Sequence, residues 1–137
     1  MKKNILLILC LIAIAGCASI TAYHLPDRDS KNLGYIYVVH FSSDKRHLER
    51  IIADQLISMD YRATCGEEKD IPAEANILVN YIDHWQWDIT NYLIELKIEF
   101  RTKQDKTWIA SGTSNRPSFA RRSPEAMVEE ILNKILK

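Results

Sequence analysis

The chain has 137 residues, with 18 basic and 18 acidic side chains, 47% hydrophobic and 26% charged residues. That length suits a single domain, and the composition excludes disorder, a collagen-like rod and a multi-span membrane protein. Zero net charge excludes an electrostatic nucleic-acid binder. The balance is uneven, however: residues 1–16 contain Lys2 and Lys3 and no acid, so the remainder carries two more acidic than basic groups.

Met1 to Asn4 is a short positive segment, and Ile5 to Ala15 follows without a charge. Eleven residues are too few to span a bilayer core, which takes roughly 20. The order of positive, apolar and small residues is that of a secretory signal, expected to be removed at residues 1–16. Ile14-Ala15-Gly16-Cys17 resembles the lipobox of bacterial lipoproteins. The resemblance implies that the Cys17 thiol is linked to diacylglycerol, that the leader is cut before it, and that the new amino group is acylated with a chain such as palmitate. A thiolate is the side chain nucleophilic enough for that linkage, and two or more long chains hold a protein stably to a membrane. Ala18 follows, where an aspartate in enteric bacteria would signal inner-membrane retention, so the expected location is the periplasmic face of the outer membrane. The alternative is an ordinary signal peptide with an incidental cysteine.

Residues 17–32 read as a lipidated N-terminus and flexible tether, polar and aperiodic with Pro26. A single periplasmic domain is expected over 33–137. Leu33, Tyr35, Tyr37, Val39 and Phe41 alternate with Gly34, Ile36, Val38 and His40, predicting a strand covered on both faces. Ser42-Ser43-Asp44 offers helix-capping residues. Leu48, Ile51, Ile52, Gln55, Leu56 and Met59 then form the inner stripe of an amphipathic helix, with Arg46, Glu49, Arg50 and Asp54 outside. Tyr61 to Cys65 reads as a strand parallel to the first. A three-strand meander follows: Asn76 to Asp88, Tyr92 to Arg101 and Thr107 to Ser114. In its middle strand Tyr92, Ile94, Leu96, Ile98 and Phe100 share one face. Ser123-Pro124-Glu125 opens a last helix whose stripe is Met127, Val128, Ile131, Leu132, Ile135 and Leu136.

The expected fold is α+β, a β-α-β-β-β-β-α two-layer sandwich with two helices on one face of a mixed, mostly antiparallel sheet. This element order, with Tyr81, Trp85 and Trp87 in the meander, Ile109-Ala110-Ser111-Gly112, and Ser123-Pro124 opening the last helix, resembles small periplasmic α/β-sandwich lipoproteins such as the LptE-like family. Those proteins plug a large β-barrel and bind lipid A. The resemblance implies a non-enzymatic role at an envelope assembly, with the membrane, an envelope protein or a glycolipid as partner.

Candidate chemistry is sparse. His24 lies in the tether, His40 at the end of the first strand, His47 at the start of the first helix and His84 in mid-strand, and none shows metal-ligand spacing. No metal, cofactor or catalytic residue is therefore expected. Asp83 and His84, adjacent in a strand, face opposite ways. Tyr81, Trp85 and Trp87 form either an aromatic platform for sugar rings or ordinary core. Arg116, Arg121 and Arg122 form either an anion- or partner-binding cluster or a solvated loop. Cys65, the thiol that remains after Cys10 is removed and Cys17 is lipidated, is either reactive or simply small and buried. The reading is a non-catalytic envelope module, set against an enzyme of cell-wall or lipid metabolism and an accessory lipoprotein of a transport or secretion complex.

Overall fold

The computed structural model describes residues 18–24 and 32–137. The signal segment, Cys17 and tether residues 25–31 lie outside the described residues.

The elements are β1 (Ser19–His24), β2 (Tyr35–Val39), α1 (Leu48–Ser58), β3 (Arg62–Gly66), β4 (Ile77–Asp88), β5 (Thr90–Thr102), β6 (Trp108–Asn115) and α2 (Pro124–Leu136). They build one six-stranded sheet in the order β1-β6-β5-β4-β2-β3. β2 pairs in parallel with both β3 and β4, and the β4-β5-β6 meander is antiparallel. The α+β two-layer sandwich is as expected, with one strand more.

That strand is a correction. Ser19 to His24, read as tether, pairs antiparallel with β6 from Ser19↔Asn115 to His24↔Ala110. Its residues explain why: Ile20 and Ala22 turn onto the core while Ser19, Thr21 and Tyr23 face solvent, and Ile, Thr and Tyr suit a half-buried pleated surface.

The core lies between the helices and one sheet face. Both helices pack together, α1 on β2 and β3, α2 on β1, β5 and β6. The α2 stripe is as the periodicity predicts, and the Ser123 hydroxyl caps it by accepting the Ala126 N–H at 3.2 Å. Helix α2 sits so close to β6 that a Cβ at Gly112 would stand 2.7 Å from Ile131 Cγ2; the absence of a side chain there sets the interlayer distance.

Strand β2 is buried on both faces. Ile36 and Val38 enter the main core, while Tyr35 and Tyr37 join Ala75 and Leu78 beneath the 67–76 segment. Tyr37 donates to the Glu67 carbonyl at 3.0 Å, and the Lys103 ammonium closes the far end on the Pro72 and Ala73 carbonyls.

Two departures matter for the site. Ile94 is an unpaired bulge in β5, between the pairs His84↔Glu95 and Trp85↔Leu93. A bulge shifts the alternation by one, so Leu93 joins the core with Leu96, Ile98 and Phe100, and Tyr92 and Ile94 do not. Helix α1 is also rolled relative to expectation: it buries Leu48, Glu49, Ile52, Ala53 and Leu56. Glu49, expected in solvent, is only 4% exposed.

Candidate functional site

The β2–α1 connection assembles a buried polar cluster. Helix α1 opens after His47, which holds φ 58° and ψ 48°, a left-handed conformation that costs a side-chain-bearing residue about 1–2 kcal/mol. His47 does not cap the helix. Asp44, 3% exposed, does so from further back: its carboxylate accepts the Arg46 and Leu48 N–H groups, each at 2.6 Å. The capping residue types in Ser42-Ser43-Asp44 thus include the one used.

Tyr81, inward from β4, reaches the same place. Its hydroxyl donates to Asp44 Oδ2 at 2.7 Å, lies 3.1 Å from Glu49 Oε2, and accepts the Phe41 N–H at 3.3 Å. A phenol has one proton to give, so two buried carboxylates compete for it. Glu49 is met on its other side by two imidazoles. His40 Nδ1 stands 3.1 Å from Oε2 and His47 Nδ1 3.0 Å from Oε1, the rings stacked with centroids 5.6 Å apart. Arg50 Nε approaches Oε1 only to 4.0 Å and is exposed.

The electrostatics follow from burial and bonding. Burial alone would raise the Asp44 and Glu49 carboxyls, yet both are held below their ordinary values. Tyr81 and two backbone amides outweigh burial at Asp44; the imidazoles of His40 and His47, a backbone N–H and Tyr81 do so at Glu49. His40 is raised, chiefly by its bond to Glu49. Burial and the bond to Asp44 push Tyr81 far up, so it stays a proton donor. His40, His47 and Glu49 present three donor atoms within 4.8 Å of one another, a grouping that their spacing in the sequence does not show. His40 and His47 are seven apart in sequence, and it is the strand-to-helix turn that brings them together. The open side carries a groove lined by His40, Phe41 and Tyr81 with Glu67, Glu68, Arg101 and Lys106.

The sequence-predicted sites disperse. Tyr81 is committed to the acid cluster. Trp85 is half-buried, donates to Asp83 at 2.6 Å and lies under the Arg46 guanidinium at 3.9 Å. Trp87 alone of the three is widely open, at 75%. Together they are not a platform. The arginines separate as well. Arg116 is nearly buried against Glu130. Arg121 binds the β4–β5 turn through Thr90 Oγ1 at 2.9 Å and the Asp88 carboxylate at 3.2 Å, stacks on Tyr92 at 4.1 Å, and donates to the Ser118 carbonyl at 3.0 Å. Arg122 is exposed and unpaired among the described residues. Cys65 is half-buried, packs against the core, and has its thiol pushed up by burial.

Because Arg121 is a tie, Arg121→Ala should cost about 1 kcal/mol, from an exposed ion pair and a cation–π contact. Arg122→Ala should leave stability unchanged. Urea denaturation of the two variants checks this.

The Arg121 tie gathers large apolar side chains at one end of the sheet. Trp87 and Ile89 sit at the β4–β5 turn and Phe119 in the loop before α2, with Ile89 88% and Phe119 65% exposed. Ile89 holds φ 63°, an outlier for a β-branched residue.

No protein-family model and no curated protein sequence matches the chain. Solved structures do. A PelC dodecamer variant from Paraburkholderia phytofirmans superposes with a TM-score of 0.65 at 12% identity, covering 88% of this chain and 98% of that one. The chain shares its fold with PelC. A second PelC dodecamer crystal form agrees at a TM-score of 0.64 and 10% identity. A PDZ-domain protein from Parabacteroides distasonis reaches 0.55 at 9% identity, and the match covers 34% of its length. These similarities run to PelC and a PDZ-domain protein; the LptE-like likeness remains one of element order in the sequence. Among the described residues no helix is long and apolar enough to cross a membrane.

Proposed function

We propose that the chain is a lipid-anchored periplasmic lipoprotein of the outer membrane, acting as a non-catalytic binding and assembly module of the cell envelope. One observation carries this reading. Ser19 pairs with Asn115, and β5 continues from Glu95, which also pairs with Asn115, back to its turn at Ile89. The start of β1, two residues after Cys17, is therefore at the same end of the sheet as Trp87, Ile89 and Phe119. A lipidated Cys17 would bring that apolar end to the bilayer, and indole and phenyl rings favour the interfacial zone. The fold shared with a PelC dodecamer favours one form of this reading, in which copies of the chain assemble with one another.

The test uses the full chain in its native host. Intact mass should show acyl chains on a protein starting at Cys17, fractionation should place it with outer membranes, and in-cell crosslinking should capture copies or envelope partners. Cys17→Ala should abolish processing and lipidation. A bare polypeptide in the soluble fraction overturns the proposal.

A further inference from the structure

We propose that His40, His47 and Glu49 form a binding site for a divalent transition-metal ion of the zinc class. The donor set is two imidazoles and a carboxylate, which suits zinc or copper rather than the all-oxygen preferences of magnesium and calcium. Donors at about 2.0–2.2 Å from one zinc ion lie roughly 3–3.5 Å apart. The Nδ1 atoms of His40 and His47 stand 3.1 and 3.0 Å from Oε2 and Oε1 of Glu49, and one donor atom from each residue lies within 4.8 Å of the other two, so a small inward movement would close the set on one ion. Two further features converge on this point: His47 keeps a left-handed backbone beside Glu49, and the two rings stack.

Charge points the same way. Asp44 and Glu49 are both buried, 3% and 4% exposed, and share one phenolic proton. Two buried carboxylates beside two imidazoles, which ligate a metal in their neutral form, are matched by one dipositive ion. Tyr81, its hydroxyl 3.1 Å from Glu49 Oε2, would orient Glu49 when it donates there, as partners behind ligating carboxylates do. Three protein ligands leave a coordination position open, and His47, 54% exposed at its side chain, puts that position on the solvent side. There a water or a side chain from another molecule could complete the shell. His84 and Glu95 make a similar 3.0 Å contact on the surface but lack a second imidazole, which makes them the natural control.

Tag-free full chain, stripped with chelator and exchanged into chelator-free buffer, is titrated with zinc chloride by calorimetry and with cobalt chloride by visible absorption. The expected result is saturable binding of one ion per chain, the visible bands of four-coordinate cobalt, and a melting temperature raised by added zinc. His47→Ala, at an exposed position that leaves the core intact, should weaken binding at least tenfold, and His84→Ala should leave it unchanged. Absence of saturable binding, or equal binding in His47→Ala, overturns the site and leaves a histidine–glutamate ion pair in its place.

Discussion

Replacing Phe100 by alanine should destabilise the domain by about 3–5 kcal/mol, the range for deleting a fully buried aromatic ring. Phe100 is wholly buried in the middle of the meander, paired with Val79 on β4 and Ala110 on β6. The small Ala110 opposite leaves the space the ring fills. Because β5 is flanked by strands on both sides and covered by α2, the cavity has little freedom to collapse, which places the cost high in the range. Total stability of such domains is about 5–15 kcal/mol, so the variant loses a large share of it. Urea denaturation should show a lower midpoint with an unchanged slope. A loss under about 1 kcal/mol would mean that the layers close over the gap, contrary to the tight α2–β6 approach at Gly112.

Asp44→Ala should cost about 2–4 kcal/mol. The carboxylate accepts the Arg46 and Leu48 N–H groups and the Tyr81 hydroxyl. Loss of a helix cap costs about 0.5–2 kcal/mol, and a buried donor left unpaired about 1–3. One effect opposes this: removing Asp44 takes away a negative charge near Glu49 and frees the Tyr81 proton for Glu49 Oε2, 3.1 Å away. That relief reaches one of three donors, so destabilisation wins. A double-mutant cycle with Tyr81→Phe separates the parts. The two losses should fall short of additivity by at least about 0.5 kcal/mol, since both substitutions delete the same bond. Additive losses would place Tyr81 and Asp44 in independent networks.

The fold class was legible in the sequence because its signals were local. Ser123, Pro124 and the α2 stripe carry their own start signal and period, and the pattern of β5 from Leu96 to Phe100 admits no helical reading. The misreadings came where long-range packing overrides local pattern. The Ile94 bulge has no composition signal of its own, and it moved Leu93 into the core in place of Ile94. Glu49 was assigned to solvent because it is charged; its burial depends on Tyr81, 32 residues away, and on the small Ala53 one turn along the same face. The histidine pair escaped notice for the same reason. Its members sit seven apart across a turn whose left-handed residue is His47 itself, and spacing rules for ligands on one helix or in one knuckle do not reach such a case. The basic cluster before α2 dissolved because Arg116 and Arg121 each found an acid on a different element.

Strand β1 starts two residues after Cys17, and two residues span no more than about 7 Å. A protein acylated there would have no slack. Its sheet would be held close beneath the bilayer, and copies would ride at a similar height while still turning about the membrane normal. Encounters between copies would then be a search in two dimensions, and part of the translational entropy that association ordinarily costs would already have been surrendered at the anchor.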